Sequence, residues 1–349
     1  MSQATLIQQG LLQFTLNAPE HAKPFSFSLG TDIQVSLLAT GVMLFEPLKE
    51  ASRAVVLSAG IHGNETGPIE LLDQWVTKIL KQQVRLCQPL LIILGNPPAM
   101  IKGSRELRLN LNRLFIGQHK KYAACYEVAR AQELEQILLL FYQRYLGLPA
   151  FHLDLHTAIR ASQHEKFAIY PFTHGQPWKR TSLALLQACG VDCVLFSNEP
   201  APTFSYHSSF NHNAVAFTVE LGKVQPFGEN NLAKFSELNR VFDTLLAEKD
   251  LHEFAFKAEQ AKLYQVSDVI NKTDPDFSFS FSQQQANFSE YPSNYRLAQD
   301  GCNEIYVKDG PKAIVFPNEK VALGQRAVLL VKKMTAKEIE LAVSSQQLV

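Results

Sequence analysis

From residue 54 to about residue 249, short apolar runs alternate with longer segments of helical period. AVVLSAG (54–60), LLIILGN (90–96), AFHLDLH (150–156), FAIYP (167–171), VDCVLF (191–196) and NAVAFTVELG (213–222) have the length of buried strands. Between them, GPIELLDQWVTKILKQQ (67–83), ACYEVARAQELEQILLLFYQRYL (124–146), RTSLALLQACG (180–190) and NLAKFSELNRVFDTLLAEK (231–249) place apolar residues at helical spacing. Such an order predicts an α/β fold, a largely parallel sheet covered by helices. The first 50 residues predict short strands and turns, as in IQVSLLAT (33–40). After residue 250 the pattern changes to short strand-like runs, among them FSFSFS with strict period 2. The expected division is residues 1–250 as the main domain and 251–349 as a smaller β-rich domain.

At 349 residues the chain is long enough for this, and its 46% hydrophobic and 19% charged residues are ordinary for a globular protein. The formal net charge is zero, which gives no support to nucleic-acid or membrane-surface binding. No apolar stretch approaches the roughly 18 residues needed to span a bilayer. The opening MSQATLIQQGLLQFTLN lacks the basic start and apolar run of a signal peptide. Five cysteines with no metal-type pairing (Cys87, Cys125, Cys189, Cys193, Cys302) read as free thiols in a reducing cytoplasm.

Polar residues at the ends of the predicted strands carry the chemistry. GIHGNETGP (60–68) sets His62 and Glu65 three apart just after a strand, where open α/β sheets bind ligands. The pair can reach one cation, or the loop can simply cap the following helix. His156 ends the strand AFHLDLH and supplies a third donor, since catalytic zinc favours three protein ligands and an open position. Strand alternation puts His152 and Asp154 on the same face. His152 competes for the ligand role but lies deeper in the sheet, and Asp154 can orient a ligand histidine. Glu220, near the end of FTVELG, is poorly placed for a buried strand unless a metal site or an ion pair with Lys223 stabilises it. Beside a cation it can take a proton from water and return it to a leaving amine. In SRELRLNLNRLF (104–115), Arg105, Arg108 and Arg113 with Asn110 and Asn112 form either a carboxylate-binding cluster or a solvated basic loop.

Taken in order, H-x-x-E, R-x₆-N-R, D-L-H-T and E-L-G resemble the zinc carboxypeptidase superfamily. More narrowly they resemble its aspartoacylase and succinylglutamate desuccinylase branch, as do GIHGNETGPIELL, LGNPPAM, DLHTAIR, HEKFAIYP and ELGKVQPFGENNL. The resemblance implies a carboxypeptidase-like mixed sheet with a C-terminal β domain and one zinc per chain on His62, Glu65 and His156. It implies Glu220 as general base and acid, Arg105 at the scissile carbonyl, and Asn112 and Arg113 on a substrate carboxylate. The implied reaction is hydrolysis of N-succinyl-L-glutamate in bacterial arginine breakdown, so the expected partner is a small anionic N-acyl amino acid. A homo-oligomer stays open. Two features depart from the family. Asn110 stands where an aspartate is usual and is expected to orient Arg113, and residues 315–327 lack the tyrosine of the aspartoacylase side. Rival readings are another N-acyl-amino-acid deacylase or carboxypeptidase with the same metal site, and a metal-binding protein without catalysis.

Overall fold

The computed structural model describes residues 2–20, 22–247, 251 and 254–344. The N-terminal strands are β1 (Phe25–Leu29), β2 (Ile33–Ala39) and β3 (Val42–Pro47), followed by β4 (Ala54–Ala59), β5 (Leu90–Leu94) and β6 (Ala150–Ala158). Then come β7 (Phe167–Tyr170), the short β8 (Trp178–Lys179), β9 (Cys193–Phe196) and β10 (Val215–Lys223). The C-terminal strands are β11 (Lys262–Asn271), β12 (Ser278–Phe279), β13 (Glu290–Tyr291), β14 (Arg296–Asp300), β15 (Asn303–Tyr306), β16 (Lys312–Val315) and β17 (Arg326–Lys333).

Thirteen of these make one sheet, in the order β1-β2-β3-β5-β4-β6-β10-β7-β9-β11-β17-β16-β13. It is mixed. The pairs β5–β4, β4–β6 and β6–β10 are parallel, β10–β7 is antiparallel, and both flanks are antiparallel meanders. Every residue of β4 and β5 is buried, as central strands covered on both faces require. Their alternation feeds two cores. Val55, Leu57 and Ala59 face the helix Thr66–Leu80, whereas Ala54 and Val56 face the helix Tyr126–Arg144.

Two helices fall outside the sequence expectation. Residues 3–17 form a helix, Gln3–Asn17, in place of the expected strands and turns. Gly10 breaks it at φ 81°, and the Leu12 amide this frees donates to Asp73 Oδ1 at 2.8 Å. A helix split this way loses the continuous apolar stripe that would have announced it. The second, Phe204–His212, is short and almost wholly polar or aromatic, without helical period. Pro97 and Pro98 follow β5 closely and start a short helix, Pro97–Lys102, capped by Asn96.

Residues after 254 are β-rich as expected, though only Ser278 and Phe279 of FSFSFS lie in a strand. The expected boundary touches residues 248–250, which lie outside the described residues. β11 pairs in parallel with β9, so the C-terminal strands extend the central sheet. Just beyond β6 the two parts are joined again, with Asn287 bonded to the backbone of Ala161 and Gln163 at 2.8 and 3.1 Å.

Candidate metal centre

β4 stops at Ala59, and Gly60 turns the chain at φ 67° into the loop that carries His62 and Glu65 to the start of the helix Thr66–Leu80. This loop lies against the Pro97–Lys102 helix so closely that a Cβ on Gly63 would fall 2.2 Å from the Ala99 carbonyl carbon. His156 is near the carboxyl end of β6. Glu220 is its direct neighbour in register on β10.

The structure brings His62, Glu65 and His156 together, all buried, with their ligand atoms within 4.8 Å of one another. Glu65 Oε1 lies 2.8 Å from His62 Nδ1, and Glu65 Oε2 lies 2.8 Å from His156 Nδ1. His62 Nδ1 is buried and has no hydrogen-bond partner of good geometry. Each remote ring nitrogen is held from behind. His62 Nε2 meets Asn110 Oδ1 at 3.0 Å, and His156 Nε2 meets Asp154 Oδ2 at 3.0 Å. Both imidazoles therefore aim Nδ1 at one point beside a carboxylate. Two nitrogens and an oxygen with anchored outer partners form the donor set a divalent transition metal takes.

The charges agree with this geometry. Burial, aided by Arg105, pushes His62 down to about 4, so its ring is neutral and Nδ1 has a lone pair to offer. Burial alone would raise Glu65 and lower His156. The pull of His62 and His156 outweighs it at Glu65, and that of Asp154 and Glu65 outweighs it at His156, sending Glu65 well below and His156 well above their usual ranges, so a metal ion would displace the His156 proton. Burial and the Glu65 charge push Glu220 up to about 7, against the opposing pull of His156 and Arg105. Glu220 Oε2 is buried without a partner.

His152 takes no part in the cluster. Ser58 Oγ donates to Asp154 Oδ1 at 2.6 Å, so His152 Nε2, 2.8 Å from that hydroxyl, is the donor to it. Burial holds His152 near 4, and its Nδ1 then accepts from Ser208 Oγ at 2.7 Å. A one-way chain of donors, Ser208 to His152 to Ser58 to Asp154, thus supports the carboxylate behind His156. A lone hydroxyl in the apolar run AVVLSAG was the available signal for Ser58.

Arg105 Nη1 donates to Glu65 Oε1 at 2.8 Å, beside the cluster. Asn112 is buried and its Oδ1 accepts the Phe204 amide at 2.9 Å, pinning the Phe204–His212 helix. Arg113 donates to the Asn112 carbonyl at 2.8 Å. Arg108 is exposed. Asn110 differs from the sequence expectation, because its side-chain oxygen holds His62 and the Asn112 amide, while Arg113 meets only its backbone, donating its amide to the Asn110 carbonyl at 2.9 Å. A cavity of about 290 Å³ beside His164 and Cys193 lies apart from the cluster and mixes Lys166 and Lys262 with Glu165 and Asp192.

A buried two-histidine, one-carboxylate cluster at the ends of parallel strands, with a protonatable glutamate in the adjoining register, is the apparatus of a hydrolase. The succinylglutamate desuccinylase/aspartoacylase catalytic domain matches residues 51–248, and the AstE/AspA barrel-sandwich hybrid domain matches residues 259–334. The succinylglutamate desuccinylase of Shewanella woodyi is 43% identical over 344 residues, covering 97% of this chain and 100% of that relative. That of Pseudoalteromonas atlantica is 44% identical over 312 residues, 88% of this chain and 89% of the relative. The crystal structure of the Vibrio parahaemolyticus protein of that name is 33% identical, with a TM-score of 0.85 over 94% of this chain and 96% of the other. The chain belongs to the succinylglutamate desuccinylase/aspartoacylase family and is a hydrolase. No helix among the described residues is long and apolar enough to cross a membrane.

Proposed function

We propose that this chain hydrolyses N-succinyl-L-glutamate to succinate and L-glutamate with one zinc ion held by His62, Glu65 and His156. The observation that carries the proposal is the convergence of those three side chains next to Glu220, whose carboxyl is poised near neutrality. Zinc, when bound, supplies the Lewis-acid charge that acidifies water and polarises the amide carbonyl. Glu220 takes the proton of the attacking water on its free carboxylate oxygen, then delivers it to the departing glutamate nitrogen. A group with a pKa near 7 does both at neutral pH with little penalty either way. Arg105 keeps guanidinium donors beyond the one given to Glu65, and these meet the carbonyl oxygen as its negative charge grows. Asn112, its oxygen committed to Phe204, offers its amide N–H groups to a substrate carboxylate alongside Arg113.

The five cysteines, all free thiols, fit a reducing cytoplasm as the site of action. We also place the domain boundary at 250/251. It is supported by a separate core, including Leu297, Val307, Ile314 and Val328, built wholly from residues after 254.

Amine release from N-succinyl-L-glutamate, N-acetyl-L-aspartate and a blocked dipeptide, compared in one assay, tests the substrate. The succinyl compound should be turned over fastest by orders of magnitude. Preference for either of the others would replace the proposal with the deacylase or carboxypeptidase reading.

A further inference from the structure

Glu65 occupies the N-cap position of the helix Thr66–Leu80, but its side chain makes no cap bond. Its carboxylate is turned to His62, His156 and Arg105 instead. The side chain that usually holds a helix start is thus given to the metal cluster, and the start needs a hold from outside. That hold comes from the segment that leaves β10 after Glu220. The register with β6 slips between Glu220 and Lys223, where Gly222 takes φ 117°. Val224 then donates its amide to the carbonyl of Ala158, close behind His156, at 3.1 Å. Residues 225–229 are exposed, so hydrogen bonds rather than apolar packing fix the course of this segment.

Asn230 closes the segment onto the helix. Its Nδ2 donates to Thr66 Oγ1 at 2.8 Å and to Glu70 Oε2 at 3.0 Å. Thr66 Oγ1 in turn donates to the Gln225 carbonyl at 2.6 Å, and Glu70 Oε1 accepts the Gly228 amide at 2.5 Å. Thr66 is buried and directly follows Glu65, so these bonds join the backbone that carries Glu65 to the backbone that carries Glu220. Gly67 makes the approach possible. A Cβ there would fall 2.9 Å from Asn230 Oδ1 and 3.4 Å from Phe235 Cζ. Alanine at this position would push the Asn230 amide aside and break its bonds, although alanine is the better helix former.

We propose that Asn230 is a positioning residue for the metal centre: through Thr66 it sets where Glu65 stands relative to Glu220. This rests on the metal-centre reading above and extends it to a residue outside the cluster. The test measures zinc affinity, by competition with a chromophoric chelator, and kcat and KM for N-succinyl-L-glutamate at saturating zinc. The proteins compared are the parent, Asn230→Ala, Gly67→Ala, their double variant and Asn239→Ala. Asn239 is the control, because its Oδ1 accepts Trp75 Nε1 at 2.6 Å and so ties down the same helix away from Glu65. Asn230→Ala should weaken zinc binding roughly 10-fold, the lower end of what loss of a supporting partner costs, and should lower kcat with KM little changed. Gly67→Ala should do the same, and the double variant should be no worse than either alone. Asn239→Ala should lose urea stability and keep parental zinc affinity and kcat. Gly67→Ala, which removes no side chain, decides the matter if Asn230→Ala does not fold. Parental zinc affinity and kcat in the Asn230 or Gly67 variant, losses that add in the double variant, or an equal loss of affinity in Asn239→Ala would overturn the proposal and leave the metal centre standing. A parent protein that binds no zinc would remove both.

Discussion

Glu220→Gln should stabilise the metal-free protein in a pH-dependent way. The Glu220 carboxyl titrates near 7 in the folded chain against 4.5 for an ordinary glutamate, chiefly because it is buried. The folded state therefore holds this proton more tightly than the unfolded chain does. Below pH 4.5 both states are protonated and the group costs nothing. Between pH 4.5 and 7 folding stability declines as pH rises, and above 7 the full cost of a buried carboxylate is present. Each pH unit in that window is worth about 1.4 kcal/mol, so the limiting cost is about 3 kcal/mol. Glutamine keeps the shape and never ionises. Urea denaturation in the presence of a chelator should show the variant ahead of the parent by about 2–3 kcal/mol at pH 8 and by under about 1 kcal/mol at pH 5. Zinc should narrow the gap at pH 8, because a nearby divalent charge favours the carboxylate. Parallel stability curves for the two proteins, or a variant weaker at pH 8, would refute the placement of Glu220 in a dry site beside Glu65.

Asn110→Asp should tighten zinc binding by roughly 10-fold, since a carboxylate accepting from His62 Nε2 makes the opposite nitrogen a better donor; competition with a chromophoric chelator reads this directly, and an unchanged affinity with altered KM would return Asn110 to the service of Arg113. Ser58→Ala strips Asp154 of a donor and leaves the His152 N–H buried without an acceptor. A loss of about 1–3 kcal/mol in urea stability and roughly 10-fold in zinc affinity is expected, and parental values for both would show that the chain of donors behind His156 does no positioning.

Part of the site is legible in the local pattern. His62 and Glu65 stand three apart after a strand, His156 and Glu220 interrupt the ends of apolar runs, and each is polar where burial would otherwise forbid it. What the linear pattern withheld is adjacency. That β6 and β10 are parallel neighbours, with Glu220 opposite His156, depends on sheet order, which no local period encodes. The bond from Asn110 to His62 is hidden for the same reason, because His62 is 48 residues away and Arg113 only three. The helices Gln3–Asn17 and Phe204–His212 escaped because one is broken at Gly10 and the other lacks an apolar stripe.

Titration of zinc into chelator-stripped protein, following bound metal and glutamate release together, bears most directly on the site. Glutamate release should rise in proportion to bound metal, level off at one zinc per chain, and be absent from His62→Ala and His156→Ala at the same zinc concentration. Turnover by the fully stripped protein, or full turnover by either histidine variant, would contradict a reaction centred on His62, Glu65 and His156.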